Sequence, residues 1–143
     1  MGNYWFYMFC NYSSGIKETK CLVKQFLLVF IGGGLGSIVR FMLSQIPILN
    51  FSKFPIPTLI SNVIGCFILG LVLGYAIKND HLNSPQTLLL STGFCGGLTT
   101  FSTFAYENIS MIKSGDINQI FFYSFLSLLL GFIAVFVGLQ LSK

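Results

Sequence analysis

The sequence predicts an all-α membrane protein of four transmembrane helices. Three observations carry the prediction. Apolar residues make up 54% of the 143-residue chain and charged residues only 8%, against about 25% charged in ordinary soluble domains. Four apolar stretches of membrane-crossing length follow one another, and four spans of roughly 20 residues consume nearly the whole chain. The loops between them are short, which leaves no room for a soluble catalytic domain. Function must then be built from the spans themselves, and the chain is not expected to be an enzyme.

The first span covers about residues 22–46 and ends near Arg40 and Pro47. A loop with Lys53 and two prolines leads to the second span, about 58–77. The third covers about 86–112 and the fourth about 119–141. Residues 1–21 form an N-terminal extension read as interfacial or disordered, because the apolar run Tyr4–Cys10 is too short to span. Residues 22–143 form the transmembrane domain.

The net charge of +4 comes from basic residues scattered mostly at span ends, which suits membrane-flank positioning and gives no nucleic-acid patch. Setting the extension aside, Lys24, Lys78 and Lys143 flank one side, and Arg40, Lys53 and Lys113 the other. Three against three is little instruction for orientation. Dual insertion, and with it an antiparallel dimer, becomes possible. Cys10, Cys21, Cys66 and Cys95 lack metal-motif spacing, and His81 stands alone.

Small residues recur at four-residue spacing in Gly32 and Gly36, Gly70 and Gly74, and Gly93 and Gly97, a pattern that lets helix backbones approach closely in lipid. The third span is the most informative. Nine of the thirteen residues Ser91–Thr103 are Gly, Ser or Thr. Gly96 and Gly97 weaken the helix near mid-span, so it is expected to break near its centre. Carbonyls freed at membrane depth must be satisfied by protein, water or an ion, and such carbonyls can ligate Na⁺. The alternative is a glycine kink with Ser and Thr bonded back to the helix.

Phe101 and Phe104 share a face if the helix resumes there. Their electropositive ring edges could touch a partly dehydrated anion without trapping it, or the rings could simply pack against core or lipid. Asn62, early in the second span, is costly unless paired; it either donates to an anion or joins helices. Tyr123 and Ser127 add hydroxyls to one face of the fourth span, for an ion or for interhelical bonding. Arg40 either snorkels to the interface or makes a vestibule attractive to anions. Glu107, near the end of the third span, is the one acidic residue inside a span. A small proton-coupled drug exporter would need an embedded carboxylate in the first span, and this chain has none there. A non-transporting bundle that supports a partner is the third possibility.

Three segments resemble the Fluc, or CrcB, fluoride channel family: GGGLGSIVRFMLS (Gly32–Ser44), PTLISNVIGCFILG (Pro57–Gly70) and GFCGGLTTFSTFAYE (Gly93–Glu107). They occur in family order and spacing. The resemblance implies a fluoride-specific channel that passively exports fluoride from the cytoplasm across the prokaryotic plasma membrane. It implies an antiparallel, dual-topology dimer of this chain, or a pairing with a second homologous subunit. It implies a structural, untransported Na⁺ held by the backbone carbonyls of Gly96 and Thr99. Phe101, Phe104, Asn62, Arg40, Ser102 and Thr103 match positions along the family's ion path, and Tyr123 and Ser127 fit its looser fourth-span pattern.

Overall fold

The computed structural model describes residues 15–50, 54–82 and 84–142. All regular structure among them is helical. Helix α1 spans Gly15–Ser44, a short 3₁₀ turn covers Pro47–Asn50, and α2 spans Ile56–Lys78. The third span is segmented into α3 (Pro85–Leu88), a wide π-type stretch (Leu89–Cys95), α4 (Gly96–Leu98) and α5 (Phe101–Ser114), and α6 (Ile117–Leu141) closes the bundle. Among the described residues, four stretches are long and apolar enough to cross a membrane: Cys21–Ser44, Ile56–Lys78, Pro85–Ser114 and Ile117–Leu141. Most of the N-terminal extension, and both Lys53 and Lys143 of the orientation count, lie outside the described residues.

Local chemistry sets the helix ends. Pro57 stands in the first turn of α2, where its missing N–H costs nothing. Ser84 caps α3 by accepting the Thr87 N–H at 3.1 Å. Helix α5 stops at Gly115, whose φ of 80° is the left-handed C-terminal cap that glycine adopts freely.

Helix α2 packs chiefly on α6, and α1 chiefly on the first half of the third span. Glycine seams explain both pairings. A side chain on Gly70 would strike the Val135 carbonyl, and one on Gly138 would come within 2.8 Å of Leu71 N. A side chain on Gly36 would strike the Phe94 carbonyl and come within 2.8 Å of Leu98 N, while one on Gly97 would strike the Gly33 carbonyl. The expected close-approach pairs thus mesh, Gly32 and Gly36 against Gly93 and Gly97. Outward faces carry large apolar side chains such as Phe26, Phe30 and Phe121, each at least 70% exposed, as a lipid-facing surface requires.

The glycine pair and the extended residues of the third span do not coincide. Gly96 and Gly97 do not leave the helix; Gly96 has φ −62° and ψ −36°. Glycine's absent side chain is spent there, at Gly97, on close approach to α1. The departure comes later, where Thr99 (ψ 153°) and Thr100 (φ −151°, ψ 119°) are extended.

Candidate functional site

A groove of about 470 Å³ runs along the wall formed by α2, the third span and α6. It gathers Asn62, Gly96, Thr99, Phe101, Phe104 and Ser127, six of the residues singled out in the sequence. Its floor is set by Asn62. The Thr100 N–H donates to Asn62 Oδ1 at 2.8 Å, and Asn62 Nδ2 donates to the Thr100 carbonyl at 3.4 Å. One side-chain amide therefore clamps both polar ends of an extended residue inside the bundle.

That clamp redirects backbone donors. In a continuous helix the Thr100 N–H would serve the Gly96 carbonyl four residues back; here it goes to Asn62. The Thr103 N–H would likewise serve Thr99, but it donates to Thr100 Oγ1 at 3.4 Å as the N-terminal cap of α5. The two carbonyls thus lose their helical partners for two separate reasons. The hydroxyl back-bonding weighed in the sequence also occurs: Ser91 Oγ donates to the Thr87 carbonyl at 2.6 Å, and Thr99 Oγ1 to the Cys95 carbonyl at 2.9 Å.

Phe101 is 80% exposed at the mouth of the groove, and its ring centroid lies 5.9 Å from that of Phe104. Phe104 in turn stacks obliquely on Tyr123 at 5.1 Å. Ser102 and Thr103 stand exposed on the first turn of α5, their hydroxyls each 3.2 Å from Thr100 Oγ1. Arg40 sits half-buried on α1, away from the groove lining.

Tyr123 and Ser127 have parted company. Tyr123 is fully buried and donates its hydroxyl to Glu107 Oε2 at 2.7 Å. Ser127, one turn further on, lines the groove, while its Oγ is buried with no hydrogen-bond partner among the described residues. Sequence reasoning missed Thr58, which donates to the other oxygen, Glu107 Oε1, at 2.6 Å. The available signal was Glu107 itself: a carboxylate three residues after Phe104 in a span must find donors. Asn108 extends the polar seam, accepting from Ser124 Oγ at 2.9 Å.

Four apolar spans, a segmented third span and a groove with few polar groups define a small helical membrane protein. The family model for the CrcB-like protein, Camphor Resistance (CrcB), matches residues 27–139. A curated relative from Gloeothece citriformis (strain PCC 7424), named Fluoride-specific ion channel FluC, is 47% identical over 83% of this chain and 97% of its own length. A relative of the same name from Azobacteroides pseudotrichonymphae genomovar. CFP2 is 37% identical over 85% of this chain and 98% of its own. One from Pyrococcus abyssi (strain GE5 / Orsay) is 39% identical over 85% and 98%. The chain belongs to the CrcB-like family, the family its three segments resemble, and is a multi-pass membrane protein. The names of these relatives describe ion channels and not enzymes.

Proposed function

We propose that this chain is one subunit of a fluoride-selective channel in the cell membrane, which lets fluoride leave the cytoplasm down its electrochemical gradient. The observation that carries the proposal is the groove, in which Asn62, Ser127 and the Phe101–Phe104 pair share one apolar wall, in a chain 47% identical to a relative named as a fluoride-specific ion channel.

The chemistry is that of few and weak contacts. The edge of a phenyl ring carries the positive end of its quadrupole. Phe101 and Phe104, inclined at 38°, can turn edges toward a passing anion. Ser127 brings a buried hydroxyl without a hydrogen-bond partner, which a rotamer change would turn to the groove, and Asn62 retains a second amide hydrogen beyond the one it gives Thr100. These donors replace part of the hydration of a small anion without a cationic side chain in the lining to trap it. Arg40, Ser102 and Thr103 are assigned to the approaches of the path, and Tyr123, buried with its hydroxyl on Glu107, backs the Phe104 ring. The driving force is the membrane potential, about 2.3 kcal/mol per charge per 100 mV, roughly fortyfold in concentration. Hydrogen fluoride enters uncharged and dissociates, and the channel returns the anion without ATP or proton coupling.

The segment at Thr99 and Thr100 is taken as the break of the third span. The Gly96 and Thr99 carbonyls, whose helical donors are committed to Asn62 and Thr100, are hard, neutral oxygen ligands that suit Na⁺. Two carbonyls are too few for one ion, and an antiparallel twin would double them. When bound, the ion supplies a fixed charge that ties the two protomers together. The three-against-three count that supports dual insertion leaves out Lys17 and Lys20 at the head of α1, which favour the N-terminal side inside, and pairing with a second homologous subunit would use the same face.

The test is fluoride efflux from proteoliposomes of the purified protein, followed with a fluoride electrode against a chloride control. Rapid fluoride release without chloride release is expected. Equal release of both, or of neither, would remove the proposal.

A further inference from the structure

The groove contains two thiols that the fluoride path does not use. Cys66 lies on α2, and Cys95 ends the π-type stretch of the third span. Both are free, and both line the groove. Their relative placement follows from register. Asn62 bonds Thr100, and the Thr99 methyl packs where a Gly65 side chain would stand. The second span therefore ascends as the third descends. One turn on from Asn62 and from Thr99, this antiparallel register sets Cys66 opposite Cys95, and Leu69 and Ser91 continue the lining. Cys95 is only 2% exposed, and Cys66 Sγ lies 3.7 Å from where a Gly131 side chain would begin.

We propose that Cys66 and Cys95 form a two-thiol site for a soft monovalent cation of the Cu(I) and Ag(I) class, and that its occupation shuts the groove. Soft thiolates select such ions over the hard cations that carbonyl oxygen prefers. Each sulfur forms one bond to the metal as its S–H proton passes to buffer, and no electron is exchanged. The site sits in the wall of the groove that Asn62, Ser127 and the phenyl pair also line, so a bound cation with its two sulfurs narrows that groove. The effect on flux rests on the fluoride path proposed above; the metal site itself does not.

The experiment uses the full chain in a Cys10→Ser, Cys21→Ser background, in chloride-free buffer, with silver nitrate as probe. Bound silver per protomer is counted by native mass spectrometry, and fluoride efflux is measured on the same preparations. One silver per protomer and at least tenfold slower efflux are expected. Either Cys66→Ser or Cys95→Ser should weaken binding at least tenfold and relieve the block. Retention of tight silver binding by both single variants would mean two independent thiols and overturn the shared site. Silver binding that survives the double replacement would overturn it as well. If the background protein passes no fluoride, the silver count still decides the site, and only the fluoride proposal fails.

Discussion

The side-chain amide of Asn62 grips the backbone of Thr100 from both sides, accepting its N–H at 2.8 Å and donating to its carbonyl at 3.4 Å. Thr100 then uses its hydroxyl to cap α5. A single polar residue on the second span thus fixes where the third span turns extended and where it resumes as helix.

Asn62→Asp should abolish fluoride efflux at neutral pH. The aspartate can still accept from Thr100, but it loses the donor to the carbonyl and sets a negative charge on the groove wall. Asn62→Ala should leave a buried Thr100 N–H unpaired, at a cost of about 1–3 kcal/mol, seen as a lower melting temperature. Full conduction by the aspartate variant would take Asn62 off the path.

Phe101→Ile and Phe104→Ile should each reduce efflux at least tenfold while the protein keeps its assembly state on size-exclusion chromatography. The two should differ in stability. Phe104 packs against Tyr123 with ring centroids 5.1 Å apart, so its loss should cost about 0.5–1.5 kcal/mol beyond buried area. Phe101 stands 80% exposed in the protomer. Undiminished flux in both variants would dismiss the rings from the mechanism.

Four spans were legible in the sequence because lipid demands long apolar runs, and the glycine pairs were legible because close helix approach needs four-residue spacing. Asn62 and the Phe101–Phe104 pair stood out as a polar residue and a shared face inside spans. What could not be read was which partner each polar group would choose. Gly96 and Gly97 have the composition of a weak point, yet Gly97 is spent on packing against Gly33, and the extended residues fall at Thr99 and Thr100 because Asn62 lies across from them. Tyr123 and Ser127 look equivalent at four-residue spacing. Only the helix pairing, which brings Glu107 and Thr58 together, separates a satisfied hydroxyl from an open one.

Gly36→Ala should be far more damaging than Gly34→Ala. A side chain at Gly36 would meet the Phe94 carbonyl and the Leu98 nitrogen, whereas nothing stands within 4 Å of one at Gly34. Overpacking of this kind costs about 1–3 kcal/mol. Thermal melts in detergent followed by size-exclusion chromatography should separate the two, and equal melting temperatures would refute the tight α1 seam.

Tyr123→Phe and Thr58→Val should each destabilise the protein by about 1–3 kcal/mol, since each removes one hydroxyl donor from the Glu107 carboxylate. Because both act on one group, the double variant should depart from additivity by at least about 0.5 kcal/mol. Strict additivity would show that the two hydroxyls do not share the carboxylate.

Replacing sodium by choline should lower the melting temperature of the assembled protein, because an ion that binds only the folded dimer stabilises it by mass action. A melting temperature indifferent to sodium would leave the Gly96 and Thr99 carbonyls without their proposed ion.

The central claim is that fluoride itself crosses through this chain. Its most direct test is the reversal potential of the purified protein in a planar bilayer, with fluoride on one side and chloride on the other. A current whose reversal follows the fluoride gradient and ignores chloride is expected. A reversal set by chloride or by the cation, or no current at all, would contradict it.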